Sequence, residues 1–400
     1  MSLMKVEDAL SQLLENAAQI GTENIPLHDA LGRVLAQDLT ANRDQPPFDS
    51  SAMDGYAVKA ANLANIPVRL QVVGEVPAGH RFPDRLSNRE AVRIFTGAPV
   101  PEGADAILIQ ENTERDGAFL TALEGVTTGQ YIRPAGLDFK KNDVLIVKGT
   151  LLEPAHLALA ASMNHPEILV LRRPKVAILA TGDELVLPGE TPSDNQIIAS
   201  NNFGVAALAK VVGADVLDLG IARDDKQAIA SKIKQAQDAK VDILVSSGGV
   251  SVGEHDLVQD VLKEMGMDLA FWRIAMRPGK PLMAGKLGDC QVLGLPGNPV
   301  SAMVCAILFM QPLIRKMLGD SIPQRIERAI LGDALAENDK RQSYLRATLS
   351  IDDSGKSVAT PFAGQDSAMM AGLARASCLI IRPPHAKAAN KGDPCDFIRL

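Results

Sequence analysis

Aromatic residues make up only 4% of this 400-residue chain, and its formal net charge is −7 at pH 7. Proteins that bind nucleic acids use stacked aromatic side chains or a positive surface that attracts phosphates. The scarcity of aromatic residues and the excess of acidic residues therefore argue against a nucleic-acid partner.

Cysteine and long apolar runs are also scarce. The four cysteines, at positions 290, 305, 378 and 395, show no C-x-x-C spacing, so neither a zinc site nor a disulfide framework is predicted. The longest apolar runs, such as SAMVCAILFM, are shorter than the roughly 20 residues that span a bilayer. No basic, then apolar, then small-residue signal opens the chain. We expect a cytoplasmic protein with no membrane association.

The length of the chain predicts two to four domains, because 400 residues exceed what one core usually serves. Helical spacing of apolar residues occurs in VEDALSQLLENA, in LHDALGRVLAQDL and again in LLEPAHLALAASMNH. Short β-type runs such as VRLQVVGEV and DAILIQE lie between them. We predict a helical N-terminal domain made of residues 1–42 and 148–173, with a β-rich domain inserted at residues 43–147.

The second half of the chain alternates strand-like and helix-like segments, from KVAILATG to the long helix that starts at Pro299. Such alternation is typical of a doubly wound α/β domain with a largely parallel sheet, which we place at residues 174–322. Short strands in the tail predict a C-terminal β-barrel at residues 323–400. The predicted fold class is therefore a multidomain α/β protein.

The stretch SSGGVSVGEHD, residues 246–256, joins a β-branched strand to a helix. Glycines in such a turn let backbone N–H groups approach an anion, and the helix that follows adds partial positive charge. This pattern favours a phosphate or another oxyanion as ligand. The alternative is that Gly248 and Gly249 only make a tight turn.

Three further loops follow predicted strands of the same domain. TGDEL supplies Thr181, Asp183 and Glu184, and GIARDD supplies Asp224. In the third loop, GLPGNPVS, Asn298 is placed to cap the next helix, and Pro299 is in the first turn of that helix. Ligands of such sheets bind beyond the carboxyl ends of the strands, so we expect these loops to line one crevice. Carboxylates beside a bound phosphate imply a cation between them, and Mg²⁺ is the consistent choice. Taken singly, Asp224 or Asp256 could instead cap a helix.

Two basic residues lie in MRPGKP, where Arg277 and Lys280 flank a Pro-Gly turn. Cations at this point could hold the anionic parts of a substrate or offset charge that develops on phosphorus. The alternative is that both are solvated surface charges. His255 has no partner in the sequence, and we take it as a surface residue.

Seven motifs resemble those of one family in their order along the chain: PPFDSSAMDGYAV, FTGAPVP, IRPAGLDFKKND, TGDEL, SSGGVSVGEHD, MRPGKP and GLPGNPVSAMV. They are similar to the motifs of the MoeA family of molybdopterin molybdenumtransferases, whose animal counterpart is the gephyrin E domain. The first and last of these motifs are highly specific, whereas SSGGVS is shared by the wider Mog-like fold. This chain departs from the family's common pattern at three places. Arg277 stands where many relatives carry lysine, the segment GEHD differs from the commoner sequence, and the usual glycine after Arg346 is missing.

The resemblance implies an elongated homodimer whose active site is shared between subunits. It implies insertion of molybdate into adenylylated molybdopterin, with Mg²⁺-dependent release of AMP. The functional residues it implies are Asp54, Thr96 and Asp138 on the partner's side of the dimer and Glu184, Asp224, Asp256 and Lys280 in the Mog-like domain, with Glu184, Asp224 and Asp256 as metal ligands. The residues expected to hold the pterin substrate are Ser247, Gly248, Gly249, Ser251, Arg277, Pro296, Gly297, Asn298 and Pro299.

Two other functions fit parts of this pattern. One is a Mog-type molybdopterin adenylyltransferase, which shares the SSGGVS domain but needs neither the β-rich insertion nor the barrel; we expect such an enzyme as the pathway partner. The other is a non-catalytic scaffold that binds molybdopterin or a partner peptide, for which the acidic loops would not be required. The acidic loops are intact here, which favours catalysis.

Overall fold

The computed structural model describes residues 3–15, 17–249, 257–319 and 326–400. The chain divides into two compact units, one of Asn24–Val170 and one of Met1–Glu23 with Leu171–Leu400. We call these the smaller and the larger unit. The predictions made for Ser251, His255 and Asp256 lie outside the described residues.

The N-terminal region contains one of the two helices that spacing predicts. Helix α1 (Val6–Glu15) buries Val6, Ala9 and Leu13 within the larger unit. After strand β1 (Thr22–Pro26), the predicted second helix is wrong: the chain makes a short 3₁₀ turn at Leu27–Asp29 and then strand β2 (Leu39–Thr40). The helix does not form because this segment makes tertiary hydrogen bonds. The N–H groups of Gly32 and Leu35 donate to the carbonyls of Leu152 and Thr150 and not to the preceding turn.

The smaller unit contains a six-stranded sheet. Its remaining elements are β3 (Ser50–Ser51), β4 (Gly55–Val58), β5 (Val68–Val76), β6 (Glu90–Ile94), β7 (Ala106–Ile109), β8 (Thr113–Asp116), β9 (Phe119–Ala122), β10 (Ile132–Arg133), β11 (Val144–Ile146), α2 (Pro154–Ser162) and β12 (Glu167–Leu171). The sheet order is β7-β4-β6-β5-β9-β8, and only the β5–β6 pair is parallel. The short pairs are β3 with β10, β2 with β11 and β1 with β12. The sheet has an apolar cluster on each face, because side chains alternate along each strand.

The larger unit is built on a second six-stranded sheet. Its elements are β13 (Lys175–Thr181), β14 (Leu185–Val186), β15 (Ile197–Ile198), α3 (Asn201–Val211), β16 (Asp215–Ala222), α4 (Lys226–Asp238), β17 (Ile243–Ser247), α5 (Leu257–Glu264), β18 (Asp268–Trp272), β19 (Met276–Arg277), β20 (Met283–Leu287), β21 (Cys290–Leu295), α6 (Pro299–Cys305) and α7 (Gln311–Met317). The order is β16-β13-β17-β21-β20-β18. The first four strands are parallel, as the alternation of segments predicts, and their carboxyl ends share one edge. The sequence pattern missed β20, which forms a tight hairpin with β21 around Gly288 (φ +59°).

Helices α6 and α7 continue into each other through a π-helical segment at Ala306–Met310. Together they form a 19-residue helix, Pro299–Met317, that is apolar enough to cross a membrane by length and composition. In its apolar window 72% of the residues are buried, which is the position of a core helix. Among the residues described it is the single helix that meets the criterion.

A barrel follows in the C-terminal region. Its elements are β22 (Ile326–Leu331), β23 (Gln342–Ile351), β24 (Ser357–Pro361), α8 (Met370–Ala374), β25 (Cys378–Arg382) and β26 (Pro394–Arg399). Five strands close in the order β23-β24-β22-β26-β25, because β25 also pairs with β23. The four cysteines are free, and burial raises the pKa of Cys290 and Cys378 to about 12, which keeps these thiols protonated and unreactive at neutral pH.

Candidate functional site at the carboxyl ends of the parallel strands

A cavity of about 670 Å³ opens where the parallel strands of the larger unit end. Thr181 ends β13, Ser247 ends β17, and Pro296 follows β21, so the three central strands all deliver residues to it. The predicted residues that line it are Glu184, Asp224, Ser247, Gly248, Gly249, Pro296, Gly297, Asn298 and Pro299. The structure thus brings nine of the predicted residues together, as the rule for parallel sheets leads one to expect.

The Gly248–Gly249 turn requires glycine at both positions. The φ angles are +96° and +64°, in the left-handed region that favours glycine. A Cβ at Gly248 would lie 2.7 Å from the Thr181 carbonyl oxygen, and one at Gly249 would lie 2.4 Å from a methyl group of Val258. Gly248 and Gly249 therefore line the cavity with backbone and have no side chains of their own there.

The hydroxyl group of Thr181 lies beneath this turn. A Cβ at Gly249 would be 3.0 Å from Oγ1 of Thr181, and the residue is 4% exposed. Within the described part of the chain, Oγ1 has no hydrogen-bond partner. A buried hydroxyl without a partner is costly, and Thr181 is one of the residues that line the cavity.

The start of α3 forms another wall of the cavity, which sequence reasoning missed. Asn201 donates from Nδ2 to Oγ of Ser247 at 2.8 Å and to the carbonyl of Gly297 at 2.8 Å, so it ties two of the loops together. Ser200 and Asn202 also line the cavity, and the first N–H groups of a helix attract anions. The run Ser-Asn-Asn before an apolar helical pattern was the available sequence signal.

Glu184 and Asp224 line the cavity and carry its carboxylates. Asp225, and not Asp224, caps helix α4, since its side chain accepts a hydrogen bond from the N–H of Ala228 at 2.8 Å. The N–H of Asp224 donates to the side chain of Asp183 at 3.3 Å, while the carbonyl of Asp183 accepts from Arg223 at 2.9 Å. The capping alternative for Asp224 is therefore excluded, and its carboxylate is available to a ligand.

Asn298 has a different partner from the one predicted. It occupies the N-cap position of α6, with Pro299 in the first turn, but its side chain makes no capping hydrogen bond. Nδ2 of Asn298 donates to Oγ of Ser367 at 3.0 Å, and the N–H of Val300 donates to the Ser367 carbonyl at 3.0 Å. The loop that carries Ser367 thus takes over the capping role, and its next residue, Ala368, lines the cavity.

Arg346 shapes that loop from inside the barrel. The residue is 1% exposed, and its guanidinium donates to the carbonyls of Met369 at 2.7 Å, Asp366 at 2.9 Å and Gly364 at 3.1 Å. Desolvation by burial lowers the pKa of Arg346. Arg346 is therefore a buried cation whose hydrogen bonds are accepted by backbone carbonyls.

Arg277 and Lys280 are exposed, and neither lines the cavity, although the next residue, Pro281, does. Nη1 of Arg277 lies 3.9 Å from a carboxylate oxygen of Asp339, which also binds Arg341 at 2.5 Å. The hydrogen bonds from Arg341, with a smaller contribution from Arg277, lower the pKa of Asp339 to about 2. Arg277 is thus an ion-paired residue beside the cavity and not a group on its wall.

The smaller unit holds the other three predicted residues. Oδ1 of Asp54 accepts hydrogen bonds from the N–H and the hydroxyl of Thr96, each at 2.8 Å. These two bonds are the main cause of the lowered pKa of Asp54, to which the charge of Arg93 adds. Asp138 lies in a separate segment after β10, where its N–H donates to the carbonyl of Gln45 at 2.9 Å.

Among the residues that the structure describes, no group of three or more His, Cys, Asp or Glu side chains could hold a metal ion. Glu184 and Asp224 are the two predicted metal ligands that the structure describes, and they share one cavity. Two carboxylates suffice for Mg²⁺, which usually keeps several waters and takes further oxygens from substrate phosphates. The residues present therefore fit a magnesium ion shared with a phosphorylated ligand.

The fold and the cavity define a multidomain protein with a Mog-like α/β domain, whose cavity combines a glycine turn with two carboxylates. Three family models match the chain: the MoeA N-terminal region (domain I and II) at residues 4–164, a probable molybdopterin binding domain at residues 177–316, and the MoeA C-terminal region (domain IV) at residues 328–400. The chain belongs to the MoeA family.

Relatives and a solved structure are similar to this chain over nearly its whole length. A molybdopterin molybdenumtransferase of Haemophilus influenzae is 36% identical over 383 residues, which cover 95% of this chain and 94% of that protein. One from Bacillus subtilis is 35% identical over 396 residues, covering 97% and 92%. A crystal structure of a molybdopterin biosynthesis MoeA protein from Pyrococcus horikosii superposes with a TM-score of 0.86 at 30% identity and covers 100% of this chain and 99% of that chain. The predicted family, the α/β fold class with its barrel, and the transferase class are thereby confirmed.

Proposed function

We propose that this protein inserts molybdate into adenylylated molybdopterin and releases AMP in a Mg²⁺-dependent reaction. The observation that carries the proposal is the single cavity in which the Gly248–Gly249 turn, the start of α3 and the carboxylates of Glu184 and Asp224 meet. Such a cavity combines anion-binding backbone with ligands for a hard cation, which is what a phosphoanhydride substrate needs. The names of the curated relatives support the same activity.

The larger unit would hold the phosphate and nucleotide part of the substrate. The backbone of Gly248 and Gly249, the hydroxyl groups of Thr181 and Ser247 and the start of α3 would donate to its oxygens. Glu184 and Asp224 would hold Mg²⁺, which when bound would neutralise negative charge on the phosphoanhydride. Ser251 and Asp256, which lie outside the described residues, keep their predicted roles in the same proposal.

Water must attack phosphorus for the phosphoanhydride to break, which gives AMP and the phosphate monoester of the pterin. As two Mo–S bonds form, protons or copper leave the dithiolene sulfurs, and one oxygen of molybdate takes up two protons and leaves as water. The side chains of Lys280 and Arg277 would offset charge that develops on the phosphate or on the molybdate substrate. Asp54, held ionised by Thr96, and Asp138 would act on the substrate from the partner's side of the site. This scheme requires no side-chain nucleophile.

The proposal includes a homodimer with shared active sites, located in the cytoplasm. Its substrate would come from a molybdopterin adenylyltransferase, because that class of reaction makes the adenylylated pterin.

The test is AMP release by the purified protein from adenylylated molybdopterin with Mg²⁺, measured with and without molybdate. We expect release that depends on both ions, and we expect Glu184→Gln to lower its rate on the order of 100-fold, since the amide no longer offers a negative ligand. Substrate that binds tightly without AMP release would instead indicate a carrier or scaffold. Adenylylation of molybdopterin from ATP would indicate the adenylyltransferase.

A further inference from the structure

The turn that carries Asp54 is held from several sides. Its carboxylate accepts two hydrogen bonds from Thr96, and its backbone carbonyl accepts one from the N–H of Gln110 at 3.2 Å. The next residue, Gly55, has no room for a side chain, because a Cβ there would lie 2.1 Å from the carbonyl oxygen of Leu108. The exposed carboxylate therefore rests on a backbone with little freedom.

Arg93 contacts neighbours of both members of the Asp54–Thr96 pair. Its guanidinium carbon lies 5.1 Å from the ring centre of Tyr56 and 4.9 Å from that of Phe95, the residue before Thr96. Nη1 donates to the carbonyl of Gly55 at 3.0 Å, and Nη2 donates to the side chain of Gln110 at 2.5 Å. The planar guanidinium group of Arg93 thus links the end of β7, the start of β4 and the end of β6.

No ion pair in the described part of the chain involves Arg93. Tyr56 and Arg93 lie directly opposite each other in the β4–β6 pair, so the sheet register sets the position of the guanidinium. Its charge is half-buried between two aromatic rings and two polar acceptors. An arginine placed in this way at the end of a sheet holds the neighbouring backbone and side chains in position more firmly than a solvated surface charge would.

We propose that Arg93 is a positioning residue that holds the carboxylate of Asp54 in the geometry that the reaction needs. The proposal rests on the function proposed for Asp54. Arg93 acts through the backbone of Gly55, the side chain of Gln110 and the ring of Phe95, and it touches no substrate. A displacement of about 1 Å in a catalytic group can cost on the order of 100-fold in rate.

The experiment measures molybdate-dependent AMP release for Arg93→Gln and Arg93→Lys. We expect Arg93→Gln to lower kcat by about 10-fold to 100-fold with little change in KM. Arg93→Lys keeps the charge but not the planar fork, so its kcat should fall between that of Arg93→Gln and that of the unmodified protein. Thermal melting of each variant checks that the protein is folded.

Arg69→Gln is the matched control. Arg69 also lies over an aromatic ring, that of Phe119 at 4.3 Å, in the same sheet, and it pairs with Asp116 at 3.6 Å. It has no contact with the Asp54 turn among those the structure shows. We expect Arg69→Gln to leave kcat unchanged.

A double variant separates positioning from general destabilisation. If Arg93 acts through Asp54, Asp54→Asn with Arg93→Gln should be no slower than Asp54→Asn alone. Multiplied losses, or an Arg93→Gln protein as fast as the unmodified one while Asp54→Asn is slow, would overturn the positioning role. Full activity of Asp54→Asn would instead contradict the function proposed for Asp54.

Discussion

At Thr181, the binding role proposed above and the stability of the protein oppose each other. Its hydroxyl is buried and lacks a partner among the described residues, and an unpaired buried polar group typically costs about 1–3 kcal/mol. Thr181 lines the cavity, and its hydroxyl lies beneath the glycine turn. Stability and binding should therefore respond to this residue in opposite directions.

Thr181→Val removes the hydroxyl and keeps the branched shape. We expect the free energy of unfolding to stay equal or to rise by about 1 kcal/mol, while affinity for adenylylated molybdopterin falls about 5-fold to 10-fold, as for one lost hydrogen bond. Chemical denaturation and a binding titration measure the two effects. Thr181→Ser should keep the affinity, and unaltered binding by Thr181→Val would show that the hydroxyl does not contact the ligand.

At the scale of elements, the start of helix α4 decides which of two neighbouring loop acids can reach a ligand. Asp224 and Asp225 are adjacent, and sequence alone could not tell the cap of α4 from the acid of the cavity. The start of α4 makes the distinction, because Asp225 accepts the hydrogen bond from the third residue beyond it.

This pair of neighbours gives a prediction with opposite outcomes. Asp225→Ala should lower the free energy of unfolding by about 1 kcal/mol, the usual loss for a helix cap, and leave AMP release nearly unchanged. Asp224→Ala should leave stability nearly unchanged and abolish AMP release. Denaturation curves and the AMP assay on both proteins decide the matter, and a stability loss confined to Asp224→Ala would reverse the assignment.

At the scale of the whole molecule, separate apolar clusters lie in the α/β domain, in the β-rich sheet, around α2 and in the barrel. The predicted catalytic residues are divided between the two compact units, with Asp54, Thr96 and Asp138 in the smaller and Glu184, Asp224 and Lys280 in the larger.

The proposed shared site can be tested by mixing inactive proteins. Asp54→Ala and Glu184→Ala, dissociated and reassociated together, should recover about a quarter to a half of the site activity through heterodimers that contain one intact site. The control mixture of Glu184→Ala with Asp224→Ala should recover nothing, because both residues line the same cavity. No recovery in the first mixture would place each complete site within one chain.

Much of the fold was predictable, because its signals are local. The spacing of α1, the alternation of segments in the α/β domain and the long helix from Pro299 all reflect periodicity, and the structure confirms them. For the segment after β1, the helix predicted from periodicity was wrong, since its backbone hydrogen bonds go to residues about 120 positions away. Asn298 was misassigned for a similar reason, as its partner Ser367 comes from the barrel.

The sequence by itself determined the family, the classes of secondary structure and the set of loops that carry acids and glycines, because motifs and periodicity are properties of neighbouring residues. Only the tertiary structure decided which of those groups face one cavity. It assigned the cap to Asp225, removed Arg277 from the cavity wall and added Asn201 to it. It also placed Arg93 between the two segments that hold Asp54 and Thr96. These outcomes depend on contacts between distant parts of the chain, which burial and strand register set and which no local pattern specifies.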